Sequence, residues 1–135
     1  MLSEIVEVKG FITVVDSLTG VNMTCDIKAD VRAELNIVDE EAYQLMTRNE
    51  SLAQNLKEYI QMGMQSAYHQ VYPNGVEYTD IMNSAQPVGD AIRDMLAGLM
   101  EPRGLELVKV MPERLELSAD SKRMFEMMRA QKNAL

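Results

Sequence analysis

The sequence predicts an α+β fold, a small and largely antiparallel sheet with helices packed on one of its faces. Three observations carry that expectation. Residues 23–35 alternate apolar and polar side chains without a break, the pattern of a strand with one dry and one wet face. Residues 51–71 place Leu52, Leu56, Tyr59, Ile60, Gly63, Met64, Ala67, Tyr68 and Val71 at steps of three and four, the pattern of one helix face. Around these two, the signals run strand, strand, three helices, strand, helix.

The first strand is expected near residues 4–15, where Val6, Val8, Ile12 and Val14 share one parity and Gly10 between them suits a bulge. Asp16 to Gly20 supplies turn chemistry, with Gly20 free to take positive φ. The second strand, near 22–36, puts Cys25, Ile27, Ala29, Val31, Ala33 and Leu35 on one side. A slip of one residue would bury its charged and hydroxyl groups, so its register is strongly specified.

Asp39 then opens a short helix near 39–47 carrying Ala42, Leu45 and Met46. The long helix, near 50–71, opens at Ser51 with Gln54 three residues on, while Thr47 with Glu50 offers a competing start. About twenty residues at 1.5 Å each make a rod of roughly 30 Å. Such a rod draws its stability from burying its stripe, and Gln54, Asn55, Lys57, Glu58, Gln61 and Gln65 fall outside that stripe.

The rod ends at a turn over residues 72–75, and one helical turn is expected over 80–83. Ser84 caps a third helix, near 85–101, with Pro87 in its first turn and Val88, Ala91, Ile92, Met95, Leu96 and Leu99 as its buried stripe. A third strand follows near 104–117. In it Leu105 and Leu107 stand on the opposite parity to Val108 and Val110, and Pro112 marks an edge or a bulge. Ser118 caps a last helix, near 118–133, containing Met124, Phe125, Met127 and Met128.

A chain of 135 residues with 47% hydrophobic and 25% charged content suits one globular domain. The net charge of −8 argues against nucleic acid as a partner. Charge is uneven, however. Residues 118–135 carry a local +2 through Lys122, Arg123, Arg129 and Lys132, leaving −10 on the rest. The single cysteine excludes an internal disulfide, and no apolar run approaches membrane-span length, so a cytoplasmic location is expected.

Chemistry is hard to find. Cys25 lies on the dry parity of its strand and reads as a buried small hydrophobe. His69 falls opposite the helix stripe and reads as a solvated surface group. The glycines form no phosphate-binding loop, and Gly63, inside the buried stripe, suits close approach of a neighbouring element. The carboxylates at Asp39–Glu41 fit a helix N-terminus, and Asp90 with Asp94 fits a polar face. No catalytic, cofactor-binding or metal-ligating residue emerges, and the chain is expected not to be an enzyme.

Methionine is abundant, at twelve residues. Met64 and Met95 fall in stripes. Met62, Met124, Phe125, Met127 and Met128 instead form the expected contact surface, since flexible thioethers suit adaptable interfaces. One alternative is peripheral membrane binding by the last helix, with Lys122, Arg123, Arg129 and Lys132 facing lipid. A further one is a small-molecule-binding protein or enzyme of unknown type, which would need a pocket holding several polar groups.

With its elements in order, the chain resembles the SPFH or Band 7 family of stomatins, prohibitins and flotillins, and within it a soluble, virion-core-like prokaryotic branch. One stretch of likeness is Asp16-Ser-Leu-Thr-Gly-Val-Asn-Met-Thr24 running into the long alternating strand that ends near Asp39. The others are the helix from Ser51, and residues 88–100 leading to Gly104-Leu-Glu-Leu-Val-Lys-Val-Met-Pro112 and Ser118. The likeness spans roughly residues 12–130 and rests on pattern rather than on an invariant motif. Family members usually carry a membrane anchor before this region and often a coiled coil after it. The chain therefore looks like the later part of such a domain, truncated at both ends. The resemblance implies a non-catalytic scaffold without cofactors, self-associating as a homo-oligomer, binding other proteins, and peripheral to a membrane in the full-length protein.

Overall fold

The computed structural model describes residues 1–134. Four strands form one curled sheet in the order β3-β1-β2-β4: β1 (Leu2–Asp16), β2 (Val21–Ile37), β3 (Val76–Glu77) and β4 (Leu105–Leu117). Four helices pack against it: α1 (Glu40–Asn49), α2 (Leu52–Val71), α3 (Ala85–Met100) and α4 (Ala119–Ala134). The α+β layout read from the sequence is the one observed.

The β1–β2 hairpin is unbroken from Leu2↔Leu35 to Asp16↔Val21. Gly10 pairs with Ile27 in regular register, so it is not the bulge its composition suggested. Its dry parity is as expected, with Val8, Val14, Cys25, Val31, Ala33 and Leu35 fully enclosed. β3 is two residues long, too short to leave a periodic signal, and pairs parallel with Val14 and Val15.

The bulges lie in β4. Glu34 faces Lys109 while Leu35 faces Leu107, and Asp30 faces Glu113 while Lys28 faces Glu116. Each step inserts one extra β4 residue and turns the following side chains over. This is why burial passes from Leu105 and Leu107 to Val110 and Pro112, and then to Leu115. Arg114, at the second bulge, takes φ 49°. As an edge strand β4 tolerates Pro112, which has no N–H to give.

α2 lies along β1, α3 along β4, and α2 and α3 pack on each other. Ser51 caps α2 through Gln54 N, and Asp39 caps α1 through Ala42 N. Several expectations need correction. Asn55 is buried, its amide donating to Glu50 Oε2 at 2.7 Å and to the Ser51 carbonyl at 3.3 Å. Leu45 is exposed, because the short α1 turns Tyr43 and Met46 toward the core instead. Met95 and Leu99 lie at the exposed margin of the α3 stripe, and Met100 is the buried residue there. Ser84 makes no helix cap, because its hydroxyl joins Tyr68 Oη (2.9 Å) and the Ile81 carbonyl. The expected turn at 80–83 is two 3₁₀ turns, Tyr78–Asp80 and Met82–Ser84.

Close approach falls elsewhere than at Gly63, around which there is open space. A Cβ on Gly89 would lie 2.1 Å from the Val110 carbonyl, so this glycine sets how closely α3 meets β4. Gly104 holds φ 72° with its own carbonyl accepting from Val38 N and Asp39 N, tying the start of β4 to the start of α1.

Candidate functional site

The last helix is stitched to β2 before it is packed. Ser118 N donates to the Asp26 carbonyl (2.9 Å), and Asp26 N donates to Ser121 Oγ (2.9 Å). Ser118 Oγ caps the helix by accepting from Ser121 N at 3.1 Å. α4 therefore starts where β4 leaves β2, at Leu117 opposite Ile27, and runs over the Val21–Cys25 end of the sheet.

Its inner side is anchored by aromatic and ionic contacts. Phe125, fully buried, stacks on Tyr78 at 4.8 Å between ring centroids. Tyr78 Oη donates to Glu126 Oε1 (2.7 Å), and the Arg129 guanidinium lies 4.9 Å over the same ring. Arg129 Nε also donates to Asp16 Oδ2 at 2.8 Å, while Asp16 accepts from Thr19 Oγ1 and Leu18 N. The Thr19 hydroxyl chiefly, with Arg129 and Leu18 N, holds the Asp16 carboxyl below its ordinary value against the opposing effect of burial. Burial pushes the Tyr78 hydroxyl up to about 12, and the hydrogen bond to Glu126 adds to it.

These contacts sort the residues singled out in the sequence. Phe125, expected on the contact surface, is a core anchor. Arg129, expected to face lipid in the alternative reading, is turned inward onto Asp16 and Tyr78. Met128 is half-buried against the core. Met124 (53% exposed) and Met127 (56%) are outward, and Lys122, Arg123 and Lys132 are exposed. Arg123 pairs with Asp120 at 3.0 Å. Met62, 74% exposed, sits on α2 among Gln54, Lys57, Glu58 and Gln61, a patch separate from that of Met124 and Met127.

Beside α4 runs an open groove of about 860 Å³, whose floor is the cross-strand row Gly10–Ile27–Leu117. Gln61 of α2 walls one side, and Ala119 and Lys122 of α4 wall the other. Lys9, Phe11, Asp26 and Lys28, on the opposite strand parity, also border the groove. Cys25 is buried, and burial raises its thiol, with the Asp26 charge adding to the shift. His69 is exposed, beside a small crevice between α2 and the Phe11–Thr13 stretch of β1. Among the described residues, no three His, Cys, Asp or Glu side chains stand close enough to hold a metal ion. Nor is any helix there long and apolar enough to cross a membrane. No protein-family model matches the sequence, and no curated protein matches it either.

Proposed function

We propose that the domain is a non-enzymatic assembly module that self-associates, with the outer side of α4 as one contact face. The observation that carries this reading is the pairing of a rigidly anchored helix with outward thioethers. Phe125, Ser121 and Arg129 fix α4 to the sheet while Met124 and Met127 stand more than half exposed beside them. A fixed backbone needs no further ordering on contact, and its flexible thioethers adapt to a partner's surface. The likeness to the SPFH or Band 7 pattern supports the same role, and with it attachment to a larger assembly at a membrane.

Deleting α4 would not test the reading, because Phe125 belongs to the core. Replacing both Met124 and Met127 by Glu leaves every anchoring contact intact. Light scattering over a wide concentration range should show the mass of the wild type rising with concentration, and a smaller mass for the double variant. A wild type that remains monomeric throughout would overturn the proposal. Flotation of the wild type with anionic vesicles, lost in Lys122→Glu/Arg123→Glu, would shift the reading to a lipid surface.

A further inference from the structure

Nothing in the surrounding chain calls for a glycine at residue 10. A glycine inside a strand weakens it, and marks a bulge, a bend or a place where something approaches the backbone closely. Gly10 pairs with Ile27 in regular register, so no bulge is present. Among the glycines, positive φ is confined to Gly20, Gly75 and Gly104. Nor does any neighbour exclude a side chain, because a Cβ on Gly10 would meet nothing within 4 Å. Gly10 shares the dry parity of Val8 and Ile12, which are buried, yet it is itself only half-buried. The open space above it is the groove between α2 and α4.

The floor row Gly10–Ile27–Leu117 crosses three strands, about 10 Å at the usual strand spacing. A volume of about 860 Å³ lies within the range of small-molecule sites, about 300–1,000 Å³. All three floor residues are apolar, and they are already paired with one another in the sheet. Beside them, the Asp26 N–H and carbonyl are engaged by Ser121 Oγ and Ser118 N. An extended peptide laid there would find no free ladder and would bury its own amides unsatisfied. An alkyl chain carries no such groups.

Charge selects the head group. Lys9, Lys28 and Lys122 border the groove against Asp26 and Glu116, a local +1 on a chain of −8. Lys28 holds Glu116 at 3.5 Å, whereas Lys122 holds no ion pair among the described residues. Ala119, the first residue of α4, lines the same wall as Lys122, so the positive end of the helix dipole opens there too. We propose that the groove binds a free long-chain carboxylate, with its alkyl chain over Gly10 and Ile27 and its head at Lys122 and the start of α4. Glycine at residue 10 then leaves the room that the chain occupies.

This site goes beyond self-association and does not depend on it. Titration calorimetry with octanoate, decanoate and dodecanoate, each below its micelle concentration, tests it. Affinity should rise about fourfold for every added methylene that the groove covers. Lys122→Glu should weaken decanoate about five- to tenfold and leave decanol unchanged, since only the head group meets the lysine. Gly10→Val should abolish binding of both while raising the melting temperature, because it fills an open space in a regular strand. Met124→Glu/Met127→Glu, outside the groove, should bind as the wild type does. No binding of decanoate, equal binding by Gly10→Val, or indifference to Lys122→Glu would each overturn the site. A lowered melting temperature in Gly10→Val would show that the space is not open, and would overturn it too. Capture by anionic vesicles without binding of the free carboxylate would assign the groove to a lipid surface instead. A change of mass in Gly10→Val, again without carboxylate binding, would assign it to a second copy of the chain.

Discussion

Asp16 shows how one side chain joins parts that are distant in the chain. Its carboxylate accepts from Thr19 and Leu18 in the β1–β2 turn and from Arg129 near the carboxyl end. The folded carboxyl is held below its ordinary value of 3.8, so at acid pH the unfolded chain binds the additional proton. The stabilisation is therefore complete above about that value and is lost as pH falls below it through the folded value. Arg129→Gln should lower the denaturation midpoint at pH 7, with the gap to wild type closing as pH drops below 3.8. Urea unfolding at several pH values would check this, and a gap independent of pH would show that the ion pair contributes nothing. No local pattern could have revealed the pair, because 113 residues separate its members. Met124 and Met127 were legible as outward, but Phe125 between them was not. Periodicity in a short run of apolar residues does not say which one turns inward until Tyr78 is known to lie beneath it.

Among the elements, legibility follows the length of the repeating signal. β2 and α2 have the longest regular patterns, and their buried faces are those read from the sequence, apart from Asn55. That residue escaped because a buried amide is acceptable once Glu50 and Ser51 satisfy it. β3, at two residues, had no pattern to read, and the bulges of β4 showed only as a change of parity at Val108 and as Pro112, which marked an edge or a bulge without saying which. Gly89 was missed for another reason. A small residue in a helix stripe reads the same whether it faces open space, as Gly63 does, or a carbonyl, as Gly89 does. The distinction has a measurable consequence. Gly89→Ala should destabilise by about 1–3 kcal/mol or more, because its Cβ would overlap the Val110 carbonyl and force α3 away from β4. Gly63→Ala should instead stabilise by up to about 1 kcal/mol through helix propensity. Thermal unfolding of the two variants would separate them, and equal effects would mean that α3 is free to shift on β4.

At the scale of the whole molecule, the contact face proposed on α4 rests on parts that are distant in the chain. Phe125 on Tyr78, Arg129 on Asp16 and Ser121 on Asp26 N fix the helix, so its outward thioethers stand on a surface that β1, β2 and the turn after β3 hold in place. Met62 lies on α2 in a separate patch. A single self-complementary face closes on itself as a dimer, whereas a second independent contact would join such dimers into larger bodies. The wild type should accordingly stop at a dimer at high concentration, and Met124→Glu/Met127→Glu should be a monomer over the same range. Met62→Glu should leave the dimer unaltered, because its patch takes no part in the α4 contact. Sedimentation equilibrium of the three proteins would measure this. A wild type that exceeds a dimer, or a Met62→Glu variant that weakens it, would point to α2 as a second surface.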